Sequence, residues 1–222
     1  EMNTDSSVRL VVLTGEGKSF CAGADLNWMK KMKDYTDEEN FNDSKRLALM
    51  FEAMNNFSKP LIGKVNGAAL GGGVGLVAVC DYVLAKEESK FGLTEVRLGL
   101  VPAVISPYVV AKIGESNARA TFLTGERFDE NKAMSLGLVH QVSLTRHFEQ
   151  DLDKLVSQFL KAGPGAQAMA KSLVRGVVYE ENDTRENLMD YTCRMIAKAR
   201  TTDEGQEGMS ALLEKRKPSW ME

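Results

Sequence analysis

A run of very small residues in the middle of the chain restricts its fold more than any other feature. Residues 70–80 read Leu-Gly-Gly-Gly-Val-Gly-Leu-Val-Ala-Val-Cys and contain no charged side chain. Such a segment is too small and too apolar to form a surface element, so we expect it to be buried. The apolar stretches 61–65 and 81–85 on either side read as strands. The glycines between them must therefore have a backbone purpose.

The composition is that of a folded, enzyme-sized protein. The chain has 222 residues, of which 43% are hydrophobic and 27% charged, so wholesale disorder and fibrous repeats are both disfavoured. A net charge of −3 gives no diffuse attraction to phosphate backbones or anionic lipids, so we expect neither nucleic acid nor a membrane as a partner. Three cysteines without a C-x-x-C pair argue against disulfides and structural zinc, and favour a cytoplasmic protein without a metal.

The hydrophobic periodicity predicts an α/β core followed by helices. A strand at 8–13 precedes a long amphipathic helix, which begins at a possible capping box of Thr36 and Glu39. The later prediction comprises helices at 107–124 and 131–136, a brief strand at 138–142, and helices from about 147, 185 and 202. The turn at Gly163-Pro164-Gly165 suggests a soft boundary between a core of residues 1–163 and a helical module of residues 164–222.

Two segments rich in small residues, 20–26 and 66–73, each follow a strand and precede a helix. Backbone N–H groups are exposed at such positions, and two of these segments facing one another could bind one oxyanion. The alternative is that the glycines only permit tight turns and close packing. Neither segment matches G-x-x-x-x-G-K-[ST], which excludes a Walker-type phosphate loop.

These motifs resemble the enoyl-CoA hydratase/isomerase, or crotonase, superfamily. The resemblance rests on Cys21 to Leu26, Asn66 to Gly73 and Phe91 to Gly99, and it continues through Leu123 to Phe128, Ala133 to Leu138 and Glu207 to Pro218. It implies an α/β fold, the ClpP/crotonase-like spiral of short strands and helices. A C-terminal helical module would complete a homotrimer or homohexamer. The superfamily also carries an upstream strand pair, so we expect about 30 to 40 N-terminal residues to be missing here.

The resemblance also assigns roles to residues. The backbone amides of Ala22 and Gly72 would form an oxyanion hole for the thioester carbonyl of an acyl-CoA substrate. Glu95 would be the catalytic acid/base. The substrate would also meet Gly23, Ala24, Asp25 and Leu26, and Lys215 would face the coenzyme A phosphates. Apart from the coenzyme A of the substrate, no cofactor is implied.

One carboxylate is absent where similar hydratases have two. They carry a first glutamate at the position of Gly75 and a second at the position of Glu95. The loss of an acid or base typically costs about 100- to 10,000-fold in rate, so a simple enoyl hydratase should be silenced unless another group substitutes. A single carboxylate suffices for a 1,3-proton shift, and a Δ3,Δ2-enoyl-CoA isomerase therefore remains an alternative.

The segment 102–108, Pro-Ala-Val-Ile-Ser-Pro-Tyr, indicates a narrower group. It resembles the methylglutaconyl-CoA hydratases of bacterial leucine catabolism and the related isohexenylglutaconyl-CoA hydratases. Both substrates carry a second carboxylate, for which Arg97, Ser106 and Tyr108 are the nearest candidates. Packing and capping of a turn is the alternative role of each.

We therefore predict a hydro-lyase acting on a branched 2-enoyl-CoA thioester, with 3-methylglutaconyl-CoA as the expected substrate. A ClpP-like serine hydrolase is the alternative from a different class. It has little support, because His140 and His147 are the only histidines and neither lies in a catalytic motif.

Overall fold

The structure, a computed structural model, describes residues 2–179 and 184–221. These residues form two compact units. The larger unit consists of residues 12–57 and 61–152, and the smaller one of the described parts of 1–11, 58–60 and 153–222. The boundary predicted near residue 163 stays a prediction.

The larger unit is an α/β domain built from short elements. Its strands are β1 (Val11–Thr14), β2 (Ser19–Cys21), β3 (Leu61–Val65), β4 (Ala68–Leu70), β5 (Tyr82–Lys86), β6 (Lys90–Gly92), β7 (Arg127–Asp129) and β8 (Gln141–Ser143). Its α-helices are α1 (Leu26–Met32), α2 (Asp37–Asn55), α3 (Gly72–Ala78), α4 (Ser106–Thr124) and α5 (Glu130–Ser135). Single turns of 3-10 helix lie at Thr94–Leu98 and Thr145–His147.

The strands form two four-stranded sheets, in the orders β1-β3-β5-β8 and β2-β4-β6-β7. In the first sheet β3 pairs in parallel with β5, and β5 with β8. In the second sheet β2, β4 and β6 run parallel, while β7 is antiparallel to β6. The core contains fully buried Ile62, Val65, Val83, Leu84 and Phe91. Continuous apolar runs suit strands covered on both faces, which confirms the prediction for β3 and β5.

The capping box predicted for α2 is present. The N–H of Glu39 donates to Thr36 Oγ1 at 3.3 Å, and the N–H of Thr36 donates to Glu39 Oε2 at 2.8 Å. This reciprocal pair satisfies two N–H groups that a helix start leaves without partners. Farther along the chain, α4 is interrupted at Gly114, where φ is +78°.

The smaller unit is helical and contains most of α6 (Phe148–Leu160), then α7 (Pro164–Tyr179), α8 (Arg185–Thr201) and α9 (Asp203–Leu213). The sequence analysis missed α7, because Gly163-Pro164-Gly165 read only as a boundary. Proline is favoured at the first position of a helix, since its missing N–H has no partner there anyway. The carboxylate of Glu204 accepts the N–H groups of Gly165 at 2.8 Å and Ala166 at 2.7 Å, which caps α7.

Candidate active site

Three loops meet at one edge of the second sheet, where its three parallel strands end. Cys21 of β2 lies beside Ala69 of β4, and Leu70 of β4 lies beside Gly92 of β6. The residues that follow these strands therefore leave the sheet on the same side. They carry the predicted site residues Ala22, Gly72 and Glu95, and the loop after β4 lies between the other two.

The first loop leads into α1. Ala22, Gly23, Ala24 and Asp25 are all solvent-exposed. The Asp25 carboxylate accepts the N–H groups of Asn27 at 2.8 Å and Trp28 at 2.9 Å, so it caps α1. Leu26 is the first residue of that helix. The carboxylate of Asp25 therefore holds the loop in place, while the backbone of residues 22–24 stays accessible.

The second loop begins at Gly71, whose φ of +55° and ψ of −121° suit only glycine. Its N–H donates to the carbonyl of Gly92 at 2.8 Å, which ties it to the loop after β6. Gly73 allows it to pack closely against the end of β2, since a Cβ at residue 73 would lie only 2.6 Å from the carbonyl oxygen of Cys21. Gly72 opens α3 and has no atom within 4 Å of the place of a Cβ, so its backbone is approachable.

The third loop is the 3-10 turn that holds Glu95. One carboxylate oxygen, Oε1, lies 3.2 Å from the place where Gly71 would carry a Cβ. The other, Oε2, is buried and has no hydrogen-bond partner within the part of the chain that the structure describes. Burial raises the pKa of Glu95, and a hydrogen bond from its own backbone opposes that rise only in part. The arrangement places a carboxyl group with a raised pKa beside the first turn of α3.

Gly75 lies in the middle of α3 and is buried. A Cβ at this residue would be 3.0 Å from Phe51 Cε1 and 2.8 Å from Ile105 Cβ, and still closer to Ile105 Cγ2. Hydrocarbon therefore fills the space that a second carboxylate would need. A glutamate substituted at residue 75 would therefore collide with Ile105.

The three candidates for binding a distal carboxylate differ in environment. Arg97 is exposed, and its Nε donates to the carbonyl of Thr124 at 3.4 Å. Ser106 Oγ donates to the carbonyl of Ala103 at 2.7 Å, which is the turn-capping role weighed above.

Tyr108 is half-buried, and its ring centroid lies 5.9 Å from that of Phe51. Burial, and after it the charge of Glu52, raises the pKa of the phenol. Through Phe51, Tyr108 is the candidate that shares a neighbour with Gly75. Lys215 belongs to the helical unit, is exposed and follows α9 with a φ of +55°.

Both histidines have structural partners. His140 Nδ1 accepts the N–H of Val83 at 2.9 Å, and its ring stacks on Tyr82 at a centroid distance of 4.9 Å. Burial, and after it the charge of Lys112, lowers the pKa of His140. His147 Nε2 accepts a hydrogen bond from Nε of Arg146 at 3.1 Å. These contacts give no support to a serine hydrolase.

Within residues 2–179 and 184–221, no group of three or more His, Cys, Asp or Glu side chains is arranged to hold a metal ion. No helix among the described residues is long and apolar enough to cross a membrane.

The sequence analysis missed three residues that shape this site, Gly71, Phe51 and Ile105. Gly71 belongs to the segment 66–73, but only the structure shows its positive φ and its contact with the Glu95 carboxylate. Phe51 read as one apolar residue of a helix, and Ile105 as one member of the segment 102–108 without a role of its own. Their contact with Gly75 joins α2, α3 and the start of α4, and no short-range pattern reports such a contact.

Comparison with known proteins shows which family the chain resembles over its length. The sequence model described as "Enoyl-CoA hydratase/isomerase" matches residues 1–222. The 2,3-dehydroadipyl-CoA hydratase of Escherichia coli is 34% identical over 98% of this chain and 82% of its own length. The crotonyl-CoA hydratase of Syntrophomonas wolfei is 30% identical over 99% of this chain and 83% of its own length.

A solved structure supports the fold. The enoyl-CoA hydratase from Shewanella pealeana superposes with a TM-score of 0.93 at 38% identity, covering 99% of this chain and 81% of that one. The predicted crotonase fold is thereby confirmed.

Proposed function

Because the chain belongs to the enoyl-CoA hydratase/isomerase family, and is accordingly a lyase that acts on enoyl-CoA thioesters, we propose a narrower activity for it. It hydrates 3-methylglutaconyl-CoA to the 3-hydroxy-3-methylglutaryl thioester, as in leucine catabolism. The observation that carries the proposal is the one carboxylate at the site, the half-buried Glu95, together with a hydrocarbon surface at Gly75. The segment from Pro102 to Tyr108 supports the choice of substrate, by the resemblance described above.

The thioester carbonyl binds to the backbone amides of Ala22 and Gly72. The N–H groups in the first turn of a helix have no partner inside the helix, and the Gly72 backbone is unobstructed on its side-chain face. These donors stabilise the negative charge that develops on the carbonyl oxygen as the enolate forms. One such donor is typically worth about 100- to 1000-fold in rate.

Glu95 moves the protons. As its carboxylate takes a proton from water, the water oxygen bonds to C3 and the electron pair of the C2–C3 double bond moves into the thioester enolate. The enolate then collapses and C2 takes the proton from the Glu95 carboxyl group. An acid/base with a pKa raised toward the working pH serves both halves of this cycle. Glu95 is therefore the catalytic residue.

The distal carboxylate of the substrate binds to the Tyr108 hydroxyl, with the terminal guanidinium N–H groups of Arg97 as further donors. The Ser106 hydroxyl donates its one hydrogen to Ala103, so it serves the turn instead. Tyr108 packs against Phe51, which also lies beside Gly75 of α3. The relative from E. coli is named for 2,3-dehydroadipyl-CoA, a thioester that also carries a distal carboxylate. Such a carboxylate accepts hydrogen bonds from hydroxyl and guanidinium groups.

The test compares two substrates with the purified full-length protein. We expect kcat/KM for hydration of 3-methylglutaconyl-CoA to exceed that for crotonyl-CoA by at least about 10-fold, corresponding to one well-placed charged hydrogen bond. Faster hydration of crotonyl-CoA would overturn the proposal.

A second candidate is a Δ3,Δ2-enoyl-CoA isomerase, and the lone carboxylate favours it. In that reaction Glu95 removes a proton from C2 and returns it to C4. Conversion of a 3-enoyl-CoA to the 2-enoyl isomer without uptake of water, and no hydration of 3-methylglutaconyl-CoA, would select the isomerase. If the enzyme hydrates the longer isohexenylglutaconyl-CoA faster than 3-methylglutaconyl-CoA, the proposed hydration reaction stands and only the acyl chain of the substrate differs.

The full enzyme forms a homotrimer or homohexamer through its helical unit. Several large apolar side chains of that unit are exposed, namely Val174, Val178, Met189, Ile196, Leu212 and Leu213. Contiguous exposed apolar surface marks interaction sites in many soluble proteins. Light scattering that returned the mass of a monomer would contradict this assignment.

A further inference from the structure

The surroundings of α3 change from polar to hydrocarbon between Gly71, which precedes the helix, and Gly75 in its middle. Gly71 is the N-cap residue and has non-helical dihedral angles, and Gly75 lies four residues, or about one turn, farther along the chain. At Gly71 the nearest side-chain atom to an added Cβ is Glu95 Oε1, at 3.2 Å. At Gly75 the nearest side chains are those of Ile105 and Phe51. Ile105 is thus the nearer of the two side chains that fill the space beside α3 at Gly75.

Ile105 is held firmly in this position. Its side chain is only 4% exposed, and Phe51 beside it is 1% exposed. Its carbonyl accepts the N–H groups of Tyr108 at 3.2 Å and Val109 at 3.1 Å, because it stands at the N-cap of α4. A close-packed side chain on a hydrogen-bonded helix start cannot move aside without loss of packing.

We propose that Ile105 is a specificity-determining residue, which selects one-carboxylate chemistry by closing residue 75 to any side chain. This inference rests on the proposed role of Glu95. With isoleucine at 105, Glu95 performs every proton transfer. The site then accepts only those enoyl thioesters whose reaction needs a single acid/base group. With a residue lacking both clashing carbons, position 75 loses its two shortest contacts and keeps the 3.0 Å approach to Phe51 Cε1. It gains room for a second carboxylate on the side of residue 105, and unsubstituted 2-enoyl thioesters become better substrates.

The steric part is tested without any substrate by a thermal-unfolding cycle of Gly75→Ala, Ile105→Gly and the double variant. We expect Gly75→Ala alone to lower the Tm by more than about 5 °C, since its Cβ collides with Ile105. In the Ile105→Gly background the same alanine should lower the Tm by less than about 2 °C. Gly72→Ala is the stability control, because its Cβ meets no atom within 4 Å. Additive losses, or a Gly75→Ala variant as stable as the wild type, would overturn the inference.

The catalytic part compares Gly75→Glu, Ile105→Gly and their combination on crotonyl-CoA. We expect the combination to exceed Ile105→Gly by at least about 10-fold in kcat/KM, the lower range for an added general acid/base, while Gly75→Glu alone gives no gain. A folded double variant without any gain would overturn the inference. If the variant that combines Gly75→Glu with Ile105→Gly does not fold, the Tm measurements on Gly75→Ala, Ile105→Gly and their combination decide.

The two failures are distinguishable. If the wild type does not hydrate 3-methylglutaconyl-CoA, the proposed function falls, whatever the Tm cycle shows. If the wild type hydrates it but the Tm losses are additive, only the role of Ile105 falls.

Discussion

Gly71 and Glu95 are packed so closely that a Cβ on residue 71 would lie 3.2 Å from Glu95 Oε1. Glycine at 71 therefore does two things at once. It permits the backbone turn with φ of +55°, and it leaves the carboxylate beside the first amides of α3. This contact joins the loop that would hold the thioester oxygen to the group that would move protons.

Glu95→Gln should abolish turnover while the substrate still binds. The amide is isosteric with the carboxylate but neither takes up nor gives a proton, so kcat should fall at least about 100-fold. Steady-state kinetics for kcat and calorimetric titration with a coenzyme A thioester for binding check the two parts. Glu115→Gln, at an exposed position of α4, is the control and should leave kcat unchanged. Near-normal turnover in Glu95→Gln would mean that another group is the catalyst.

The same variant should change how stability depends on pH. Burial raises the pKa of Glu95 in the folded chain above its value of 4.5 in a solvated chain. Between these two pKa values the folded state binds more protons than the unfolded state, so the free energy of unfolding falls as pH rises. Glutamine carries no such penalty. The Tm of Glu95→Gln minus that of the wild type should therefore increase from pH 4 to pH 7. A Tm difference that does not change with pH would refute this.

Alanine at two adjacent glycines should separate folding from binding. Gly73→Ala brings a Cβ to 2.6 Å from the carbonyl oxygen of Cys21 and should lower both Tm and activity, because backbone has to shift. Gly72→Ala places its Cβ in open space. It should keep the Tm within about 2 °C of the wild type. Its kcat/KM should nevertheless fall about 10-fold or more, since the methyl group crowds the proposed oxyanion donor. Equal Tm losses in both variants would contradict this division.

Tyr108→Phe tests the hydroxyl group alone. The ring retains its contact with Phe51, so the Tm should change little. If the phenol binds the distal carboxylate, kcat/KM for 3-methylglutaconyl-CoA should fall about 10-fold, whereas that for crotonyl-CoA should stay the same. A parallel loss with both thioesters would assign Tyr108 to packing or to proton transfer instead.

The helical unit has its own pH-dependent pair. Arg216 binds Glu207 through two hydrogen bonds of 2.6 and 2.7 Å, and the N–H of Ser219 donates to the same carboxylate at 2.9 Å. These contacts lower the pKa of Glu207 to about 2. The stability they provide is present above pH 4.5 and is lost as pH falls toward 2.

Thermal unfolding of Glu207→Gln checks this pair. Its Tm should lie below that of the wild type at pH 7, and the gap should close in acid. Asp190→Asn removes an exposed i,i+4 pair with a 3.6 Å separation and should have almost no effect at any pH. A gap that persists at pH 2 would show that the glutamate acts by packing alone.

The sequence by itself determined the elements whose causes are local. The apolar runs of β3 and β5, the capping box at Thr36 and the glycine segments after two strands all depend on residues a few positions apart. Their physical causes, which are burial of both strand faces and pairing of orphan N–H groups, leave a short-range pattern. The family resemblance added the assignment of Ala22, Gly72 and Glu95.

Only the tertiary structure decided what surrounds those residues. The short strands β4, β6 and β7 exist through pairing with partners distant in sequence, and their own residues carry little strand signal. The carboxylate of Glu95 is half-buried and lies against Gly71, which is distant in sequence, and burial raises its pKa through desolvation. The sequence shows a glycine at residue 75, but only packing shows that Ile105 fills the space beside it. Steric exclusion is a relation between segments 30 residues apart, and it becomes visible when both are folded.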